Sequence, residues 1–357
     1  MRTNDINNTQ AAVAAKVEVI KLGLDVHAAK IAVCVQLDGA TAQPAQLIKR
    51  EHVLGWIGAL RGRHPQAHAV SCYEAGPLGY VLHRELIAAG VTNVVVAPQR
   101  LDTDGRAQKT DRLDARALVE RLDRYERGNR HALSIVRVPT PEQEQVRARV
   151  RLRTRLAATR REHEARGRST LLAQGIQVRG PWWRPTAWAK MAPTLPAWLR
   201  DIVSVWQQLA SQADEQEKKV RSELEKAAPA GLPRGVGALT WVVLAREILD
   251  WSRFHNRRQV ASYTGLCPGI RQSGDRALYG SINRHGNPIV RHALIELAWR
   301  LVRWQPQYPP VRRLMDTDLA PRQRRKQVVA VARRLSIDLW RIATGRSTPE
   351  KLGLSAT

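Results

Sequence analysis

The sequence predicts an α/β domain built on a mixed sheet, followed by a helical connector and a mostly α-helical C-terminal domain. Three observations carry that expectation. Short β-rich runs alternate with helical patterns over residues 17–135, the texture turns almost wholly helical and basic from Pro139, and a compact apolar unit begins at Leu232. With 357 residues, more than one domain is the natural division.

The elements follow in order. Val17 to Val26 and Ile31 to Leu37 are β-branched and apolar, separated by a short HAAK turn, which predicts a hairpin. A third strand is expected over Ala45 to Lys49 and a helix over His52 to Arg61. Ala67 to Tyr73 is another strand, ending at Glu74, and the Gly76-Pro77 break leads to a helix over Leu78 to Ala89. Val91 to Ala97 is the next strand, and Asp111 to Arg127 is a helix with apolar Leu113, Ala117, Leu118 and Leu122. Three strands able to lie antiparallel, then alternating helix and strand, give a mixed sheet covered by helices rather than a simple doubly wound fold. The polar head, residues 1–16, is expected to be disordered, and 346–357 form a tail.

Beyond Pro139, Pro141 to Arg168 reads as one long helix. Between Arg147 and Arg168 it carries nine arginines, Arg147, Arg149, Arg151, Arg153 and Arg155 among them, against Glu162 and Glu164. A helix this basic suits nucleic-acid contact, with a solvated connector as the alternative. A Trp- and Pro-rich stretch follows (Trp182, Trp183, Trp188, Trp198), for which packing is the commoner use of tryptophan and base stacking the other. A charged helix from Leu199 to Ala227 completes the connector over 136–230, and 231–345 is the C-terminal domain.

Composition narrows the partner. The chain has 58 Lys+Arg against 32 Asp+Glu, a formal charge of +26 and a sequence pI of about 11.2. A polyanion is therefore expected, and the phosphate backbone of nucleic acid is the one that rewards positive charge through counterion release. No apolar run approaches the length of a membrane span, and the head lacks a signal-peptide pattern, so the expected location is the cytoplasm. Cys34, Cys72 and Cys267 lie far apart in apolar stretches, which reads as buried thiols rather than a zinc or redox motif.

Four acids form a candidate metal site. Asp25 and Glu74 stand at strand ends that can be neighbours in a mixed sheet, and Asp111 and Asp114, three apart on a helix, share a face with Cβ atoms roughly 5–6 Å apart. Hard oxygen ligands suit Mg²⁺ or Mn²⁺, and paired ions roughly 3.5–4 Å apart stabilise both oxygens of a phosphodiester displacement. Taken singly, Asp25 fits a turn and the helix acids fit an N-terminal dipole. A second constellation runs from Gly265 to Arg291, mostly loop by its glycines and prolines. There Ser273 is bracketed by Arg271 and Arg276, cations suited to charge developing on phosphorus, with Arg284 further on. Ser273 and Ser281 both also fit turns, and chemistry alone does not choose between them. Upstream, Gly235 and Gly237 precede an apolar helix, Ala238 to Ile248, whose N–H groups can face a phosphate or simply begin a helix.

With these residues assembled, the chain resembles the DEDD transposases of the insertion-sequence one-ten family, relatives of the Piv DNA invertases. GLDVH at 23–27, YEAGP at 73–77 and KTDRLDA at 109–115 match the three acidic blocks. LPRGVGALT at 232–240, YTGLCPG at 263–269, QSG at 272–274 and GSINRHGNPIVR at 280–291 match the C-terminal blocks. The likeness spans about Lys21 to Gly345. It implies an RNase H-like, RuvC-like domain carrying Asp25, Glu74, Asp111 and Asp114, a coiled-coil connector, and a transposase domain whose SG-block serine, here Ser273, is the nucleophile. It also implies Mg²⁺, a phosphoserine intermediate, homodimers and homotetramers with shared active sites, donor and target double-stranded DNA, a bridge RNA, and association with the nucleoid when bound. LPRGVG departs from the usual pattern by Arg234, inserted between the proline and GxG. Inversion instead of transposition, a RuvC-like junction nuclease using water, and a basic binding protein with structural acids are the other readings.

Overall fold

The computed structural model describes residues 16–98, 110–273, 276–284, 286–315 and 320–355, with backbone alone for 270–273 and 276–279. The predicted disordered head (but for residue 16), Lys109 of the third acidic block, Gly274 of the SG pair and the last two residues of the tail lie outside the described residues. The chain divides into two compact units, residues 1–138 and 139–357.

The first unit contains β1 (Val19–Val26), β2 (Lys30–Leu37), β3 (Gln46–Lys49), α1 (Val53–Arg63), β4 (His68–Glu74), α2 (Val81–Ala88), β5 (Thr92–Val96) and α3 (Asp111–Glu126). The sheet order is β3-β2-β1-β4-β5. β1 pairs antiparallel with β2, and β2 with β3, whereas β1, β4 and β5 run parallel. The mixed sheet and its element order are as predicted. Glu74 closes β4 rather than following it.

Strand alternation sorts the side chains onto two layers. Ile20, Leu22, Leu24, Val33 and Tyr73 pack with Ile57 of α1 and Leu86 of α2. On the other face Ala32 and Cys34 meet Ala115 and Val119 of α3, while Val70, Cys72 and Val96 meet Leu118 and Leu122. Lys21 is buried on this second face and its Nζ lies 2.6 Å from Asp123 Oδ1, which ties α3 to β1. Burial alone would raise the Asp123 carboxyl, but Lys21 and Arg127 hold it below its ordinary range. Cys34 and Cys72 are buried, the Cys34 thiol pushed up to about 11 by burial. Cys267 is only half-buried, contrary to expectation.

The second unit contains α4 (Pro141–Leu172), α5 (Pro185–Met191), α6 (Ala197–Glu225), α7 (Ala238–Ile248), α8 (Arg257–Thr264), β6 (Pro268–Ser273), β7 (Arg276–Ile282), α9 (Pro288–Trp304), α10 (Pro309–Met315) and α11 (Pro321–Ala343). A Thr140–Gln143 capping box and Pro141 start α4. Its ion pairs to α6 descend as it ascends (Arg149 to Glu223, Arg153 to Glu217, Arg160 to Asp214), so the two helices are antiparallel. One end of the pair is closed by Trp182 and Trp183, both buried against Leu171, Leu199 and Val203. Packing is the use these tryptophans find. At the other end Val150, Val220 and Leu224 belong to the same core as α7, α9 and α11. Leu354, in the segment expected as a tail, is buried in that core as well.

Candidate functional site

Parallel pairing of β1 and β4 is registered up to Leu24–Tyr73, and Asp25 and Glu74 are the next residue on each strand. Gly23 and Cys72, two residues earlier, face α3, so the alternation assigns both acids to the α3 side at the same strand end. α3 begins there. Thr110 caps it, its hydroxyl accepting from Leu113 N–H, and Asp111 and Asp114 occupy the first turn.

The structure brings Asp25 and Asp111 together around His27. His27 Nε2 is 3.3 Å from Asp25 Oδ2 and 3.5 Å from Asp111 Oδ1, and one ligand atom from each of the three residues lies within 4.8 Å of the others. Burial holds the Asp25 carboxyl above its ordinary range; His27 opposes this, while the negative charges of Asp111 and Asp114 add to it. Glu74 is half-buried and lines a pocket of about 220 Å³ together with His27, Arg50 and Tyr73. His27 was not among the expected site residues. It stands in the turn just beyond β1, where no strand or helix pattern marks it.

The serine segment is not mostly loop. Its Pro268–Ser273 and Arg276–Ile282 stretches form the β6–β7 ribbon, because Ile270, Leu278, Tyr279 and Ile282 supply strand-forming residues between the glycines. Ser273 ends β6 and is registered opposite Arg276, with Arg271 opposite Leu278. Ser281 is exposed at the other end of the ribbon, beside the Pro268–Ile282 pair. Arg284 is exposed just beyond β7 with φ +59°.

At the GxG segment, Gly235 has φ +86° and a β-carbon there would meet Trp304 at 3.0 Å. A left-handed turn pressed against an indole leaves room for glycine alone. The inserted Arg234 lies over the same indole, 4.9 Å from its centroid. Gly237 is the N-cap of α7 and provides no side-chain acceptor.

The arginines of α4 are largely paired. Arg147 and Arg151 both reach the fully buried Glu247 carboxylate at 3.4 Å, Arg149 pairs with Glu223, and Arg153 lies 2.6 Å from Glu217. Arg155 is exposed and has no ion pair among the described residues. Much of the helix's charge therefore holds α4 against α6 and α7.

Residues 233–310 match the family model described as Transposase IS116/IS110/IS902 family. The chain is 33% identical over 301 residues to "Putative transposase y4rJ" of Sinorhizobium fredii, covering 75% of each chain. It is 29% identical over 258 residues to "Putative transposase y4qE" of the same organism, covering 68% of this chain and 60% of the relative. The transposase for insertion sequence element IS1111A of Coxiella burnetii is 24% identical over 317 residues, with 84% of this chain and 83% of the relative covered. By class, then, this is a transposase. The chain belongs to the IS116/IS110/IS902 family of insertion-sequence transposases. Among the described residues no helix is long and apolar enough to cross a membrane.

Proposed function

We propose that this transposase cuts and rejoins DNA through a covalent phosphoserine at Ser273, with divalent metal held by Asp25, Glu74, Asp111 and Asp114. The observation that carries the metal site is the meeting of Asp25 and Asp111, from elements far apart in sequence, around one imidazole. The Asp25 carboxyl is raised chiefly by burial and further by the negative charges of Asp111 and Asp114, and a cation would relieve both. The four proposed carboxylates are hard oxygen donors, which fit Mg²⁺ or Mn²⁺, and His27 stands beside Asp25 and Asp111 as a nitrogen donor. Such an ion would supply Lewis acidity to the phosphodiester oxygens. The strand order β3-β2-β1-β4-β5, antiparallel then parallel, supports an RNase H-like, RuvC-like assignment for the first unit.

In this reading the Ser273 hydroxyl gives up its proton and its oxygen bonds phosphorus. The bridging P–O bond to one nucleoside breaks, and that nucleoside leaves as a free hydroxyl end. A hydroxyl of a second DNA strand then attacks the phosphoserine, forming the new phosphodiester and releasing Ser273. Arg271 and Arg276, close in register to Ser273, offer guanidinium groups to the charge developing on phosphorus. The acids belong to one unit and Ser273 to the other, so the reading requires the two to meet, within a chain or between subunits of a homodimer or homotetramer. Target choice through a bridge RNA, and association with the nucleoid, belong to the same reading.

The test is a denaturing gel of protein with a labelled DNA junction and Mg²⁺. Wild type should leave protein attached to DNA and Ser273→Ala should not, while still binding. An adduct that persists in Ser273→Ala overturns the serine assignment. Free ends without any adduct in wild type would instead favour a water-using nuclease, which the separate acid cluster of the first unit also fits.

A further inference from the structure

α4, α7 and α9 line a groove of about 450 Å³. Its cations are Arg153, Arg160, Arg161, Arg300 and, when protonated, His292, against a single acid, Glu296. Two of the guanidiniums are already matched. Arg153 pairs with Glu217, and Arg160 reaches Glu164 and Asp214 at 3.4 and 3.5 Å.

The other two are not. Arg161 is exposed and forms no ion pair among the described residues. Arg300 donates to the neutral hydroxyl of Thr240 and likewise has no carboxylate partner among them. Its Nη1 would lie 3.2 Å from a β-carbon on Gly237, so this guanidinium sits at the start of α7. A helix start carries partial positive charge and favours anions, and a cation placed there is opposed by the dipole. Elsewhere on α4, charge at the interface is answered by Glu217, Glu223 and Glu247. Here Arg161 is exposed and the half-buried Arg300 meets only a hydroxyl.

We propose that this groove binds the phosphate backbone of double-stranded DNA, with Arg161 and Arg300 as the principal contacts. Charge complementarity argues for a phosphodiester chain, and the transposase family for DNA as its source. Guanidinium groups match phosphate oxygens with paired donors, and such contacts hold a duplex in register without reading its sequence. Of the five arginines the sequence singled out on α4, only Arg153 lines this groove, and it is already paired with Glu217. The groove rests on the DNA-joining reading only for its ligand and needs neither the metal nor the serine step.

The experiment measures binding of the full-length protein to a fluorescent mixed-sequence duplex across a salt series. Each phosphate contact contributes a salt slope of about 0.9, so Arg161→Gln/Arg300→Gln should flatten the slope by roughly 2 and weaken binding about tenfold or more. Arg221→Gln, which breaks a surface pair with Glu225 on α6, should bind as wild type. If the double variant is poorly folded by circular dichroism, Arg161→Glu alone, an exposed change, should still weaken binding. Unaltered affinity and slope in these variants overturn the proposal. So does loss of binding to a single-stranded RNA probe with duplex binding intact, which would give the groove to RNA. Ser273→Ala should bind the duplex with the wild-type slope, so failure of the chemistry is distinguishable from failure of the groove.

Discussion

A β-carbon on Gly23 would stand 2.2 Å from the carbonyl oxygen of Ala115. β1 and α3 therefore touch backbone to backbone, and this approach is what brings the start of α3, with Asp111, to the end of β1, with Asp25. The nearest atoms, Ala115 O and Val119 N, are main-chain and cannot swing aside. Gly23→Ala should lift the helix at a cost of about 1–3 kcal/mol or more, read as a lower urea midpoint, and should weaken Mn²⁺ binding. A wild-type midpoint would show that the contact is not limiting.

Asp25 should lower the stability of the metal-free protein. Its folded-state carboxyl is raised, chiefly by burial and further by Asp111 and Asp114. The sign follows from linkage: a raised group costs nothing below its unfolded pKa and costs most once pH exceeds its folded pKa. Asp25→Asn should therefore be more stable than wild type in chelator at neutral pH, with the gain fading as pH falls toward the ordinary aspartate range. Added Mg²⁺ should stabilise wild type and not the variant. Equal stability at every pH would remove the electrostatic argument for the site.

The sheet was legible because its strands are short β-branched runs punctuated by turn residues, and period-two alternation placed Asp25 and Glu74 at strand ends. His27 was not singled out, since a histidine in a polar turn carries no pattern until α3 delivers Asp111 beside it. The β6–β7 ribbon was obscured by its glycines and prolines, which mark loops by composition but here sit among paired apolar residues. The pairing of the α4 arginines was hidden for a different reason. Local charge counts cannot see Glu217, Glu223 and Glu247, which lie far along the chain and answer it only after folding. The tryptophan cluster, by contrast, behaved as its chemistry suggests, with the Trp182 indole N–H donating to the Glu164 carbonyl at 3.1 Å.

Glu247 tests that interpretation of α4. Its side chain is fully buried, faces Arg147 and Arg151, and accepts from Asn287 Nδ2 at 2.7 Å. Truncation leaves cations and an amide without their acceptor, so Glu247→Ala should lose about 3–5 kcal/mol. Arg149→Ala, which breaks an exposed pair with Glu223, should lose no more than about 1 kcal/mol. Denaturant unfolding of both variants measures the contrast. Similar small losses would mean that the buried pairings contribute little and that the arginines are free for other use.

Ser281 provides the sharpest control for the nucleophile. It and Ser273 belong to the same ribbon, but Ser273 is registered with Arg276 at one end and Ser281 lies beside the Pro268–Ile282 pair at the other. On the proposed reading, a phosphorus at Ser273 stands a ribbon's length along the backbone from Ser281. Ser281→Ala should retain the covalent protein–DNA adduct at no less than about a tenth of the wild-type yield, a rate penalty below roughly 1.4 kcal/mol, whereas Ser273→Ala should abolish it. Adduct mapping by peptide mass would complete the comparison. Attachment at Ser281 in the wild-type protein would reverse the assignment and with it the role given to Arg271 and Arg276.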